Sequence, residues 1–165
     1  MATINFKGTP ISTLGNLPKV GEQLKDFDLI TNGLAHVSLK DFTGKKLVLN
    51  IFPSLDTGVC AASVRTFNKA AAGLKDTKVL CISRDLPFAQ SRFCGAEGIE
   101  NAITLSDFAT GKFGKDYQLE MTSGPLAFLH SRAVIVADAH GKILYSEQVP
   151  EITQEPDYEK ALAAL

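Results

Sequence analysis

Three short apolar runs constrain the fold of this chain more than any other feature: Leu47-Val48-Leu49-Asn50-Ile51-Phe52, Val79-Leu80-Cys81-Ile82 and Ala133-Val134-Ile135-Val136-Ala137. Each is too short for a helix and rich in β-branched residues, so all three predict buried central strands. Between the first two, Cys60, Val64, Phe67, Ala71 and Leu74 recur every three or four residues, while Arg65, Asn68 and Lys69 take other faces. That period predicts an amphipathic helix and hence a strand-helix-strand unit.

The flanking segments extend this unit. Thr3-Ile4-Asn5-Phe6 and Ile11-Ser12-Thr13-Leu14, joined by Lys7-Gly8-Thr9-Pro10, predict an N-terminal hairpin. Pro87 suits the first position of a second helix, and Gly95, just after Cys94, is expected to end it. Asp138-Ala139-His140-Gly141 reads as a turn into a strand at Lys142-Ile143-Leu144-Tyr145, antiparallel to the run before it. Glu155 to Leu165, with Pro156 early, predicts a closing helix. The expected fold is α/β and thioredoxin-like: a mixed central sheet flanked by helices, with an N-terminal β-hairpin. No repeat or linker divides the chain, and 165 residues suit a single domain spanning 1–165.

Composition narrows the function. A net charge of −1 offers no basic excess for a nucleic-acid backbone. No apolar run reaches the ~20 residues of a spanning helix or resembles a signal peptide, so the expected setting is cytoplasmic, without a membrane partner. Cys60, Cys81 and Cys94 are widely spaced and form no C-x-x-C pair, fitting neither a disulfide framework nor a zinc site. His36, His130 and His140 have no metal spacing either. A domain of this size does not need disulfides to hold a core, which makes thiol chemistry the question.

Pro53-Ser54-Leu55-Asp56-Thr57-Gly58-Val59-Cys60 leads from a predicted strand into a helix and sets Cys60 in its first turn. Unpaired N–H groups and the positive end of the helix dipole there favour a thiolate, the nucleophilic form of cysteine. Thr57 can cap the helix or turn its hydroxyl toward the same volume, and Pro53 can wall that volume without adding a donor. On the periodicity alone, a packed core cysteine stands beside this reading.

The spacing P-x-x-x-T-x-x-C after a strand resembles the active-site signature of peroxiredoxins. The wider text, N-I-F-P-S-L-D-T-G-V-C-A-A-S-V-R, D-L-P-F-A-Q-S-R-F-C-G-A-E-G and E-I-T-Q-E-P-D-Y-E, is similar to the bacterial thiol peroxidase (Tpx) subfamily, atypical two-cysteine peroxiredoxins, from end to end. The resemblance implies that Cys60 is the peroxidatic cysteine, that Thr57 hydrogen-bonds the peroxide, and that Pro53 shields the sulfur from water. Arg132, before A-V-I-V-A-D, matches the family arginine and would stabilise the thiolate and the charge developing on peroxide oxygens. By itself, an arginine at a strand end is more usually a surface cation paired with a carboxylate.

Thiolate attack on a peroxide leaves a sulfenic acid that needs a second thiol. Cys81 lies within an apolar strand and reads as a packed small hydrophobe, whereas Cys94 lies near a helix end. The resemblance implies that Cys94 is the resolving cysteine and forms an intrasubunit disulfide with Cys60, that thioredoxin is the reductant, and that the protein is a homodimer. The activity implied is reduction of hydrogen peroxide and organic hydroperoxides to water and alcohols, in antioxidant defence, with no metal or flavin cofactor. A peroxide sensor relaying the same disulfide to a partner protein is the alternative. A noncatalytic thioredoxin-like module with an inert Cys60 is a third reading.

Overall fold

The computed structural model describes residues 1–165. In chain order the elements are β1 (Thr3–Phe6), β2 (Thr9–Ser12), β3 (Asp28–Thr31), β4 (His36–Ser38), β5 (Lys46–Ile51), α1 (Gly58–Ala71), β6 (Thr77–Ser83), α2 (Pro87–Glu97), β7 (Ala102–Ser106), α3 (Lys112–Asp116), β8 (Ala133–Ala137), β9 (Ile143–Gln148) and α4 (Tyr158–Ala163). Seven strands form one mixed sheet in the order β4-β3-β7-β6-β5-β8-β9, and β1 pairs with β2 in a separate hairpin. β5, β6 and β7 are parallel, while β8 runs antiparallel to β5 and β9 antiparallel to β8. The thioredoxin-like arrangement expected from the apolar runs is therefore present, with the last two strands antiparallel as their turn implies.

Alternation of side chains across the sheet explains why the central strands read as unbroken apolar runs. Leu47, Leu49 and Ile51 of β5 join Leu80, Ile82, Leu105 and Ile135 in one core layer. Val48 and Phe52 join Val79, Cys81, Val134 and Val136 in the opposite layer, with Cys60, Val64 and Phe67 of α1, Phe93 of α2 and Ala161 of α4. Both faces are covered, so neither set of alternate positions can be polar without a partner. Each large apolar side chain removed from water in these layers contributes about 2 kcal/mol. The second cover is mostly irregular chain: Leu24, Phe27, Phe113, Tyr117 and Leu119 close the first layer with only the short α3 among them.

A third, smaller cluster matters most for the site. Ile4 and Ile11 of the hairpin pack on Met121 and Ile152, with Phe6, Leu126 and Leu129 against them. The hairpin thereby docks onto the two long connections that flank β8 and β9.

Several boundaries differ from the sequence expectation. α2 continues past Gly95 to Glu97 and ends at Gly98, which adopts φ 64° and donates its N–H to the Cys94 carbonyl, as does Ile99 at 3.0 Å. Gly95 has no need of the left-handed region, so nothing stops the helix there, whereas the Gly98 conformation is one that glycine adopts without strain. α4 begins only at Tyr158, because the Asp157 side chain caps it by accepting from Lys160 N at 3.0 Å. The second hairpin strand is Thr9–Ser12, since the chain reverses over Lys7-Gly8. β3, β4, β7 and α3 are additional elements of three to five residues. No helix is long and apolar enough to cross a membrane.

Candidate active site

The loop after β5 carries Pro53 and ends in α1, whose N-cap is Thr57. Asp85, just beyond β6, holds this loop in shape: its carboxylate accepts from Ser54 Oγ at 2.7 Å, from Leu55 N at 2.8 Å and from Ser83 Oγ at 2.6 Å. Thr57 Oγ1 accepts from Cys60 N at 3.3 Å and donates to the Ser54 carbonyl at 3.2 Å. A hydroxyl has one proton, so donating to any other acceptor requires this Thr57 side chain to turn from Ser54. The Cys60 carbonyl accepts from Ser63 Oγ at 2.7 Å, and Ser63 Oγ accepts from Asn50 Nδ2 at 3.1 Å. The first turn of α1 is thus fixed to β5 through the core.

Cys60 is fully buried and a free thiol. Register explains what meets it. Ile51, the last residue of β5, pairs with Ala133, the first of antiparallel β8, so Arg132 emerges where the Pro53 loop begins. Arg132 is 2% exposed, contrary to the usual surface arginine, and has no carboxylate partner. Its Nη2 donates to Cys60 Sγ at 3.2 Å and its Nε to the Ile152 carbonyl at 2.9 Å, while Nη1 is buried without any partner. A buried guanidinium N–H with no acceptor is costly unless something is to bind it.

Arg132 borders an open cavity of about 330 Å³. Pro53, Thr57, Gly58 and Val59 form the floor contributed by the loop and α1, and Phe6, Lys7, Leu126, Ile152 and Thr153 complete the walls. The cavity therefore joins a largely apolar surface to two cations, Lys7 in its wall and the Arg132 guanidinium beside the Cys60 sulfur, features able to hold a small electrophile whose oxygens gain charge as it reacts.

The other cysteines lie elsewhere. Cys94, half-buried near the end of α2, places its sulfur 3.4 Å from Thr104 Oγ1, which in turn donates to Asn32 Oδ1 at 2.9 Å. Cys81 is completely buried in β6, where Asn50 Nδ2 is 3.7 Å from its sulfur. Burial pushes the Cys81 thiol up to about 12, outweighing the Asn50 contact. A thiol held protonated in this way is a poor nucleophile at neutral pH. The fold thus gathers Pro53, Thr57, Cys60 and Arg132 at one place and leaves the thiols of Cys94 and Cys60 with separate partners.

No group of three or more His, Cys, Asp or Glu side chains has an arrangement able to hold a metal ion. His130 is instead buried against Asp107 at 2.9 Å, and His36 pairs with Asp28 on the surface at 2.7 Å. Sequence reasoning missed the Ile152 carbonyl, Ser63, Asn50 and Asp85. Only the Asn50 polar position inside an apolar strand carried a local signal, since a buried amide requires a partner.

Comparison with known proteins identifies the family of the chain. Residues 19–162 match the redoxin family. The chain is 56% identical over 165 residues to a thiol peroxidase of Corynebacterium glutamicum, covering 100% of this chain and 99% of that protein. A solved peroxiredoxin-like protein from Aquifex aeolicus is 35% identical with a TM-score of 0.91, covering 99% of this chain and 97% of that one. A thiol peroxidase from Chromobacterium violaceum shares the fold with a TM-score of 0.87 at 22% identity, over 98% of this chain and 93% of that one. The chain belongs to the redoxin family, within its thiol peroxidase subfamily.

Proposed function

We propose that this protein is a thiol peroxidase in which Cys60 reduces hydrogen peroxide and organic hydroperoxides. The Cys60 thiolate attacks the distal oxygen of ROOH, the O–O bond breaks, the sulfur gains that oxygen as a sulfenic acid, and RO⁻ leaves as ROH after taking a proton. The observation that carries this reading is the Arg132 guanidinium: one N–H reaches the sulfur at 3.2 Å while a second, on Nη1, is buried and unclaimed. A peroxide oxygen is an acceptor for that second N–H and gains charge as the O–O bond breaks, so the contact strengthens in the transition state. Thr57 supplies a further hydrogen bond to the peroxide once its hydroxyl turns from Ser54, and Pro53 keeps competing donors from the sulfur.

In the second half-reaction the Cys94 thiol condenses with the Cys60 sulfenic acid, an S–S bond forms and water leaves. Disulfide geometry requires the two Cα atoms to come within roughly 7 Å. The first turn of α1 then has to release the Ser63 bond to the Cys60 carbonyl, and the last turn of α2 the two N–H bonds to the Cys94 carbonyl. Thioredoxin, a dithiol donor of the cytoplasm, returns both cysteines to thiols by exchange. The protein works as a homodimer in this reading. Support for a covering second copy comes from Phe88, Phe108 and Phe128, each more than half exposed, the latter two on carbonyls that accept from Arg84.

The test is mass spectrometry after one equivalent of peroxide, with mapping of the joined cysteines, for the parent and for Cys60→Ser. The expected result is a Cys60–Cys94 disulfide in the parent and no peroxide consumption in the variant. Turnover retained by Cys60→Ser would overturn the mechanism.

A further inference from the structure

The segment beginning at Glu151 contributes Ile152 and Thr153 to the cavity wall, yet the reaction steps use only the Ile152 carbonyl. Glu151 has no counter-cation. Its carboxylate accepts four hydrogen bonds instead: from Lys7 N at 3.1 Å, Gly8 N at 2.9 Å, Thr153 N at 3.1 Å and Thr153 Oγ1 at 2.8 Å. These donors keep it ionised, the Gly8 N–H first among them, and hold its carboxyl down at about 2.

The hairpin turn held in this way is strained. Lys7 and Gly8 lie at φ 51° and 79°, a tight reversal in which both central residues occupy the left-handed region. Glycine does so freely, whereas lysine at the first position does so at a cost, and both N–H groups point to one side. Glu151 meets both. Backbone bonds continue the connection: Asn5 N donates to the Pro150 carbonyl at 2.7 Å and Ile152 N to the Asn5 carbonyl at 3.0 Å. Phe6 and Lys7 on one side and Ile152 and Thr153 on the other are cavity walls. One carboxylate therefore joins two walls contributed by opposite ends of the chain.

We infer that Glu151 is a positioning residue that sets the width of this cavity, strapping the hairpin wall to the Ile152-Thr153 wall so that the apolar body of an alkyl hydroperoxide is gripped. Hydrogen peroxide has no such body and meets only the floor around Arg132 and Thr57. Glu151 thus governs the preference for alkyl hydroperoxides over hydrogen peroxide, acting through KM rather than through the chemical step. The inference rests on the reading of the cavity as the hydroperoxide site. The Asn5 and Ile152 backbone bonds do not involve the Glu151 side chain, so the Ile152 carbonyl stays in place for Arg132 when the carboxylate is removed.

The experiment compares the full-length parent with Glu151→Ala and Glu151→Gln, using cumene hydroperoxide and hydrogen peroxide as substrates and hydrogen exchange at the Lys7 and Gly8 amides. Loss of the charge-assisted bonds in Glu151→Ala should raise KM for cumene hydroperoxide about tenfold. The first oxidation by hydrogen peroxide should stay within about twofold, as for a substitution away from the reacting atoms. Glu151→Gln, which keeps one acceptor oxygen, should fall between parent and Glu151→Ala, and exchange at both amides should quicken in Glu151→Ala. A merely structural role would lower the melting temperature and leave the ratio of the two substrates alone. An unchanged ratio, or unchanged exchange at Lys7 and Gly8, overturns the inference. Peroxide turnover surviving in Cys60→Ser would instead overturn the functional reading on which it rests.

Discussion

Arg132 donates one guanidinium N–H to the sulfur of Cys60 at 3.2 Å, although 72 residues separate the two in the chain. The contact joins a strand start to a helix start, and the Ile152 carbonyl holds the guanidinium from its other side at 2.9 Å. In the proposed mechanism, one cation therefore serves both the attacking sulfur and the charge that develops on the peroxide oxygens.

Arg132→Met should slow sulfenate formation by about 3 kcal/mol of transition-state stabilisation, the loss typical of an oxyanion donor. Thr57→Val should slow the same step by a smaller factor and also cost about 1 kcal/mol of stability through the missing helix cap. Stopped-flow measurement of the first oxidation and thermal unfolding separate the two effects. First-oxidation rates equal to the parent would remove these residues from the reacting site.

Cys94→Ser should divide the cycle. The variant should still consume about one equivalent of peroxide per Cys60, because attack needs only the pocket of Pro53, Thr57 and Arg132. Cycling with thioredoxin should then stop, and excess peroxide should carry the stranded sulfenic acid to sulfinic acid, read as two added oxygens on the Cys60 peptide. Normal thioredoxin-supported cycling in this variant would refute Cys94 as the resolving thiol.

Cys81 makes a prediction for alkaline pH. Burial raises its thiol from 9.0 to about 12, so the folded state retains a proton that the unfolded chain gives up. Stability from this group is full below pH 9.0 and is lost as pH climbs toward about 12. Melting temperatures of the parent should accordingly drop more steeply across that window than those of Cys81→Ser, which has no thiol to ionise. Identical slopes would show that Cys81 contributes nothing to the alkaline transition. At neutral pH, Cys81→Ser should keep peroxide cycling intact.

The amino-acid sequence by itself determined the elements whose signals are local. The runs at 47–52, 79–82 and 133–137 announce buried strands because both of their faces are covered, and the Cys60, Val64, Phe67 spacing announces α1 because a helix buries one stripe. Thr57, three residues ahead of Cys60, was legible as a cap for the same reason: the cap bond closes within one turn. β3, β4 and β7 were not legible. Strands of three to five residues hold too few alternating positions to show a period, and they exist because neighbouring strands supply their hydrogen bonds. The tertiary structure alone decided that α2 ends at Gly98 rather than Gly95, since only Gly98 adopts a positive φ. It also decided the site itself. Pairing of Ile51 with Ala133 swings Arg132 to the mouth of the Cys60 loop, docking of the hairpin brings Phe6 and Lys7 to Ile152, and a backbone carbonyl with no side-chain identity orients the guanidinium. Local periodicity reports which face of an element is buried. What that face meets depends on strand order and register, which bring together residues with no relation along the chain.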